Sequence, residues 1–211
     1  GPEAEVVAFD PSPRMLQSAA SRIDDRRVSF EAGSARRMLQ VAGPCDRVIS
    51  NSAIWLDADV LIPWKASEMI LKPGGRLSFS IPAEYLGHDA HWRSDSAQHL
   101  AETLQRVRAE LMSPGREPLD RPSMPHPGYL GSVARVRELL KELGFSEVDA
   151  ELFTHPWTQG DYLDWLGQPT SLEHFCGADT DTQRAFINEV SRRVSPSEEL
   201  ETHWYLVVAH K

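Results

Sequence analysis

The sequence predicts an α/β fold, a three-layer sandwich of helices around a mostly parallel sheet. Three observations carry this. Short β-branched runs alternate with helical patterns along the 211 residues, as in strands joined by crossover helices. The first run, Val6 to Phe9, is apolar throughout, as a strand buried on both faces reads. The runs close on turn signals such as Asp10-Pro11-Ser12-Pro13 and Lys72-Pro73-Gly74-Gly75.

The elements follow in order. After the first strand, Ser12 is placed to cap a helix and Pro13 to open it, with Met15, Leu16, Ala19 and Ala20 at helical spacing. Val28 to Glu31 is a second strand that breaks at Gly33, and Ala35 to Leu39 a short helix. Arg47 to Ser50 is a third strand closing on Asn51. Pro63 to Leu71 reads as a helix with Trp64, Met69 and Ile70 on its apolar face. Lys72 to Gly75 is expected to make a sharp turn before a fourth strand, Leu77 to Ile81. From Pro82 to Gly128 prolines become frequent, and only Ser96 to Met112 reads as a long helix. This segment is expected to be a cap or lid inserted into a single domain spanning residues 1 to 211, because its apolar content is thin for a core of its own. A helix over Ser132 to Leu143, a strand over Glu147 to Thr154, helical patches over Asp161 to Leu166 and Thr182 to Val194, and a last strand over His203 to His210 complete the chain.

Composition excludes several classes. A net charge of −9, from 22 basic against 31 acidic residues, opposes an electrostatic grip on nucleic acid or anionic lipid. The longest apolar run, Trp204 to Ala209, is too short to span a bilayer. Cys45 and Cys176 have neither metal-ligand nor redox spacing, and a reducing, cytoplasmic setting is expected.

The chemistry starts at Asp10. An acid at the carboxyl end of a buried strand, followed by a turn into a helix, is where doubly wound folds hold the two hydroxyls of a ribose; on its own it reads equally as the start of a turn. The series widens the signal. Val6-Val7-Ala8-Phe9-Asp10-Pro11-Ser12-Pro13-Arg14-Met15-Leu16, Val28-Ser29-Phe30-Glu31-Ala32-Gly33-Ser34-Ala35, Asp46-Arg47-Val48-Ile49-Ser50-Asn51 and Leu71-Lys72-Pro73-Gly74-Gly75-Arg76-Leu77 together resemble the class I S-adenosylmethionine-dependent methyltransferases, in order and interval. The likeness covers residues 1 to 81 well and the region after Ser132 more loosely. Its nearest branch is that of small-molecule methyltransferases.

The resemblance implies a Rossmann-like sheet whose last strand runs antiparallel, and a methyl transfer from S-adenosylmethionine to a small organic acceptor. It implies that Asp10 holds the ribose, Pro11 and Met15 line the adenine, Ser34 and Ala35 sit at the adenine edge, and Asn51 lies near the transferred methyl. The family often has Asp where this chain has Ser34, and a neutral hydroxyl makes the weaker bond. Trp55 and Tyr85 are candidates for the substrate wall, with core packing as their ordinary alternative.

One departure stands out. The family's first strand and its glycine-rich turn are not in this sequence, so the chain begins where the family's second strand begins, as a piece of a longer protein would. That first strand lies between those that here are Val6–Phe9 and Arg47–Ser50. Strands pair at about 4.8 Å, so its removal is expected to leave a gap that a foreign segment fills, that a collapse closes, or that marks a trimmed protein. The departure also keeps open an alternative function, a methyltransferase-like binding module without catalysis.

Histidines are the candidate bases. His88 and His126, in the segment before Gly128, have the pKa range to take a proton from an attacking hydroxyl or amine. His88 and His91 beside Asp89 also have a metal-ligand spacing, but exposed loops carry such residues without function and no metal is expected.

Overall fold

The computed structural model describes residues 3–54, 57, 59–87, 95–111, 130–167, 172, 176 and 179–211. The calls on Trp55, His88, His91 and His126 fall outside them. Two compact units are formed. One takes the described residues of 1–81, 129–151 and 205–211, and the other those of 82–128 and 152–204.

The elements are β1 (Val6–Asp10), α1 (Pro13–Ala20), β2 (Val28–Ala32), α2 (Ala35–Val41), β3 (Cys45–Ser50), α3 (Leu61–Ile70), β4 (Leu71–Pro82), a 3-10 turn (Ala83–Leu86), α4 (Asp95–Leu111), α5 (Val133–Glu142), β5 (Glu147–Thr158), α6 (Gln159–Leu166), α7 (Thr180–Arg193) and β6 (Glu199–His210). Local chemistry sets several boundaries. Ser12, in extended conformation, accepts from the Met15 N–H to start α1, with Pro13 at the first helical position. Ser132 does the same for α5 by accepting from Arg135 N–H, and Gly144 at φ 110 turns the chain after it. Thr158 and Asp161 cap α6 reciprocally, each side chain bonding the other's backbone N–H.

In the first unit β1 and β2 pair in parallel, from Val6 opposite Val28 to Asp10 opposite Ala32. A second sheet runs in the order β3-β4-β6-β5, and β3 and β4 are parallel. β6 is antiparallel to both neighbours. Lys211 N–H bonds the Gly75 carbonyl and Gly74 N–H bonds that of Lys211, while Ser146 N–H at the start of β5 bonds the His210 carbonyl. Gln159 N–H, at the other end of β5, meets the Glu198 carbonyl at the start of β6.

These bonds correct the reading of Lys72 to Gly75. It is a bulge inside a longer strand, not a turn ahead of one, because pairing to the chain's last residues keeps the backbone extended on both sides of it. Two residue steps on β3, Cys45 to Arg47, face five on β4, Leu71 to Arg76. Gly74 takes φ 75, and a Cβ on Gly75 would stand 2.8 Å from the Lys72 carbonyl oxygen.

Among the described residues β1 bonds only β2, and β3 bonds only β4. The strands therefore form two sheets, and among the described residues β1 and β3 are not paired with each other. A second correction follows from this. The apolar run of β1 predicts burial on both faces, yet Val6 and Val7 are 48% and 41% exposed, and Ile49 on β3 is 77% exposed. With one bonded neighbour and α1 packed on them, β1 and β2 lack the second cover a parallel sheet requires. No residue before Ile54 whose burial is described is buried. The unit's core lies on the other elements: Trp64 and Ile70 of α3, Leu77, Phe79 and Ile81 of β4, Val136 and Leu140 of α5, and Val207 and Ala209 of β6. The Trp64 and Phe79 rings stack with centroids 5.5 Å apart.

The second unit has its own core, built from Leu100, Leu104 and Val107 of α4, Leu163 and Leu166 of α6, Phe186 and Val190 of α7, and Leu200 of β6. The thin apolar content of 82–128 is thus completed by residues 152–204. Arg193 of α7 bonds Glu110 of α4 and Glu189 of its own helix, and both carboxylates hold the guanidinium pKa above its ordinary value. Gln159, fully buried, receives Ser195 N–H on its Oε1 and points its amide at the Ser96 carbonyl.

Candidate functional site

The residues predicted for the cofactor fall into two groups in the first unit, each at the carboxyl end of a parallel strand. The first is built by β1 and β2. Parallel register sets the end of β1 beside the end of β2, and Gly33 N–H bonds the Asp10 carbonyl at 3.1 Å. The Asp10 Oδ1 accepts Ser12 N–H at 2.7 Å, which fixes the carboxylate in an Asx turn. Its Oδ2 has no partner among the described residues. Asp10 therefore offers an oriented, half-exposed carboxylate with one oxygen open.

Around it stand Pro11, exposed, and Met15, 42% exposed, two apolar surfaces beside the acid. Ser34 occupies the N-cap position of α2, but its side chain makes no capping bond. It is exposed, its hydroxyl has no partner among the described residues, and Ala35 beside it is half-buried.

The second group is the turn after β3. Ser50 Oγ accepts Ile54 N–H at 3.0 Å. Asn51 Oδ1 accepts the hydroxyl of Ser80, from β4, at 2.7 Å, and Ser80 Oγ in turn accepts Ser52 N–H at 2.9 Å. Ser52 has φ 56, and among the described residues it is the one non-glycine residue in the left-handed region. Asn51 itself is exposed while Ser80 is buried. The sequence nominates Asn51 but not Ser52 or Ser80, the residues bonded around it. In the alternating run Leu77-Ser78-Phe79-Ser80-Ile81 nothing sets Ser80 apart from Ser78.

Tyr85 lies in the second unit and is 6% exposed. His155 is exposed on β5, its ring 5.9 Å from that of Trp157, which meets Tyr162 and Trp165 in turn. Between α2 and α3 a shallow apolar depression of about 400 Å³, lined by Leu39, Leu61, Ile62, Ala66, Met69 and Leu143 with Arg36 and Lys65, contains none of the predicted site residues. Among the described residues no three His, Cys, Asp or Glu side chains gather as a metal site would, and no helix is long and apolar enough to cross a membrane.

Comparison with known proteins follows the same division of the chain. A family model described as a methyltransferase domain matches residues 1–75. Over 121 aligned residues the chain is 31% identical to a trans-aconitate 2-methyltransferase of Streptomyces avermitilis; the match takes in 49% of this chain and spans 42% of that relative's length. Two solved structures extend the likeness to the fold. The YcgJ protein of Bacillus subtilis covers 98% of this chain with 82% of its own, at 15% identity and a TM-score of 0.57. Phosphoethanolamine N-methyltransferase 2 of Haemonchus contortus, crystallised with phosphomonomethylethanolamine and S-adenosylhomocysteine, covers 98% of this chain with 43% of its own, at 18% identity and a TM-score of 0.53. The matched segment contains Asp10 and Asn51, and over it the chain is similar to S-adenosylmethionine-dependent methyltransferases, whose fold it shares.

Proposed function

We propose that the protein transfers a methyl group from S-adenosylmethionine to a small organic acceptor. The observation that carries this reading is Asp10, a carboxylate oriented by Ser12 N–H with one oxygen open at the end of β1. The residues present suit the adenosine half of the cofactor. Asp10 accepts from both ribose hydroxyls, Pro11 and Met15 offer apolar faces to the adenine, and the uncapped hydroxyl of Ser34 accepts from the adenine amino group beside Ala35. The methionine half has Asn51 but no glycine-rich cradle in this sequence.

When bound, the cofactor supplies an electrophilic methyl on a sulfonium, whose carbon–sulfur bond breaks as the bond to the acceptor forms. The work left to the protein is positioning the two in line, with a base optional. His88 and His126 are proposed for that base, Trp55 and Tyr85 for the acceptor wall, and residues 82–128 for a cover over the strand ends. The relative named for trans-aconitate supports a small organic acid as the acceptor class. The alternative of a module without catalysis has no support from the relatives named for an activity, which are methyltransferases.

Isothermal titration with S-adenosylhomocysteine tests the assignment on the intact protein. Asp10→Ala removes charge-assisted bonds worth roughly 1.5–3 kcal/mol each, so cofactor affinity should drop at least about tenfold with little loss of stability. Unchanged affinity would defeat the placement of the site. Tight binding by residues 1–211 would show that a glycine-rich cradle is not required.

A further inference from the structure

The turn after β3 is tied to β4 more closely than a connecting loop requires. Ser80 is 7% exposed, and a buried hydroxyl must place its one proton on an acceptor. That acceptor is Asn51 Oδ1, at 2.7 Å, while the oxygen of Ser80 is occupied by Ser52 N–H at 2.9 Å. Turning the Asn51 amide over would set its own hydrogens against the Ser80 hydroxyl and leave the buried proton with nowhere to go. The carbonyl end of the amide is therefore committed to the protein. Its two N–H groups have no partner among the described residues, and the side chain is exposed. The left-handed backbone of Ser52, held by the same hydroxyl, fixes the turn that carries it.

We infer that Ser80 is a positioning residue that locks Asn51 as a hydrogen-bond donor to a carboxylate oxygen of a ligand at the end of β3. The identity of that ligand rests on the methyl-transfer reading. The carboxylate belongs either to the methionine part of the cofactor or to an organic acid acceptor, and the chemistry of recognition is the same for both.

Two kinds of measurement on the full chain separate the lock from the ligand. In ¹⁵N spectra of the unliganded protein, Ser80→Ala should move the Asn51 side-chain amide pair and the Ser52 amide and leave most other signals in place, and Ser80→Thr should restore both. An Asn51 pair that stays put in Ser80→Ala overturns the lock whether or not any ligand binds. For the ligand, S-adenosylhomocysteine, methylthioadenosine and trans-aconitate are titrated separately. Asn51→Asp keeps an acceptor for Ser80 but replaces both donors with a charge. It should weaken the carboxylate-bearing probe by about tenfold or more, S-adenosylhomocysteine in one case and trans-aconitate in the other, and leave methylthioadenosine, which has no carboxylate, unchanged. Ser80→Ala should weaken the same probe less, and Ser80→Thr should recover it. Tighter binding of S-adenosylhomocysteine by Asn51→Asp would mean that the site receives the ammonium group, and would overturn the donor assignment. Failure of every probe to bind the wild type overturns the carboxylate assignment together with the methyl-transfer reading, while the amide spectrum still decides the lock.

Discussion

Single residues in this chain act mostly through where they hold a charge or a proton, and Glu68 shows it outside the site. Its carboxylate on α3 meets Lys65 at 2.7 Å and Lys211 at 3.3 Å, and the last residue of the chain also bonds the Glu68 carbonyl. The Lys65 bond first, and Lys211 after it, hold the Glu68 pKa below its ordinary value of 4.5. A carboxylate whose folded pKa is depressed contributes stability above its unfolded pKa and loses it as pH falls through the folded one. Glu68→Gln should therefore cost about 1 kcal/mol at neutral pH, in keeping with a partly exposed ion pair, and the difference from wild type should shrink as pH is lowered below 4.5. Urea unfolding of both proteins across that range measures it, and a difference independent of pH would mean that the charge is not what the lysines recognise. Asp10 and Asn51 were legible because strand-end position and residue type suffice to nominate them. Ser80 was not, because in the alternating run from Leu77 it reads as an outward-facing polar residue. Only the pairing of β3 with β4, which puts Ser50 opposite Phe79, brings its hydroxyl to Asn51.

Elements were legible where local chemistry decides them and obscure where distant pairing does. The caps of α1 and α5 follow from Ser12, Pro13 and Ser132 alone. The extension of β4 back to Leu71 and of β5 forward to Thr158 does not, because β6 bonds both strands and keeps a proline-glycine segment and His155-Pro156 extended. Thr202 Oγ1 bonding the His155 carbonyl is part of the same ladder. Likewise α4 showed its apolar stripe, but the sequence did not reveal that α6 and α7 would cover it. Gln159 marks the join, a fully buried amide that serves α4 through the Ser96 carbonyl and the segment after α7 through Ser195 N–H. Gln159→Leu preserves the volume and orphans that N–H, so it should destabilise the second unit by about 1–3 kcal/mol. Denaturant unfolding followed by tryptophan fluorescence reads this, and a neutral substitution would show that water replaces the amide at no cost.

At the scale of the molecule the decisive fact is how unevenly burial is distributed. Every residue of β1, α1, β2, α2 and β3 whose burial is described is exposed or half-buried, while α3, β4, α5 and β6 supply most of the buried residues of the same unit. Local opening costs least where buried apolar contacts are fewest. Hydrogen exchange under native conditions should accordingly divide the first unit. Amides of β1 and β2 should exchange through a low-energy opening, at least about a hundredfold faster than those of β4 and β6, which wait for global unfolding. The adenosine contacts proposed above all lie in the weaker part, so a ligand that engages Asp10 stabilises that part by mass action. Added S-adenosylhomocysteine should slow exchange in β1 and β2 before it changes β4 or β6. Equal protection of β1 and β4 in the free protein, falling on dilution, would mean that a second copy covers the exposed Val6, Val7 and Ile49 in solution. Equal protection independent of concentration would mean that burial is a poor guide to stability in this sheet.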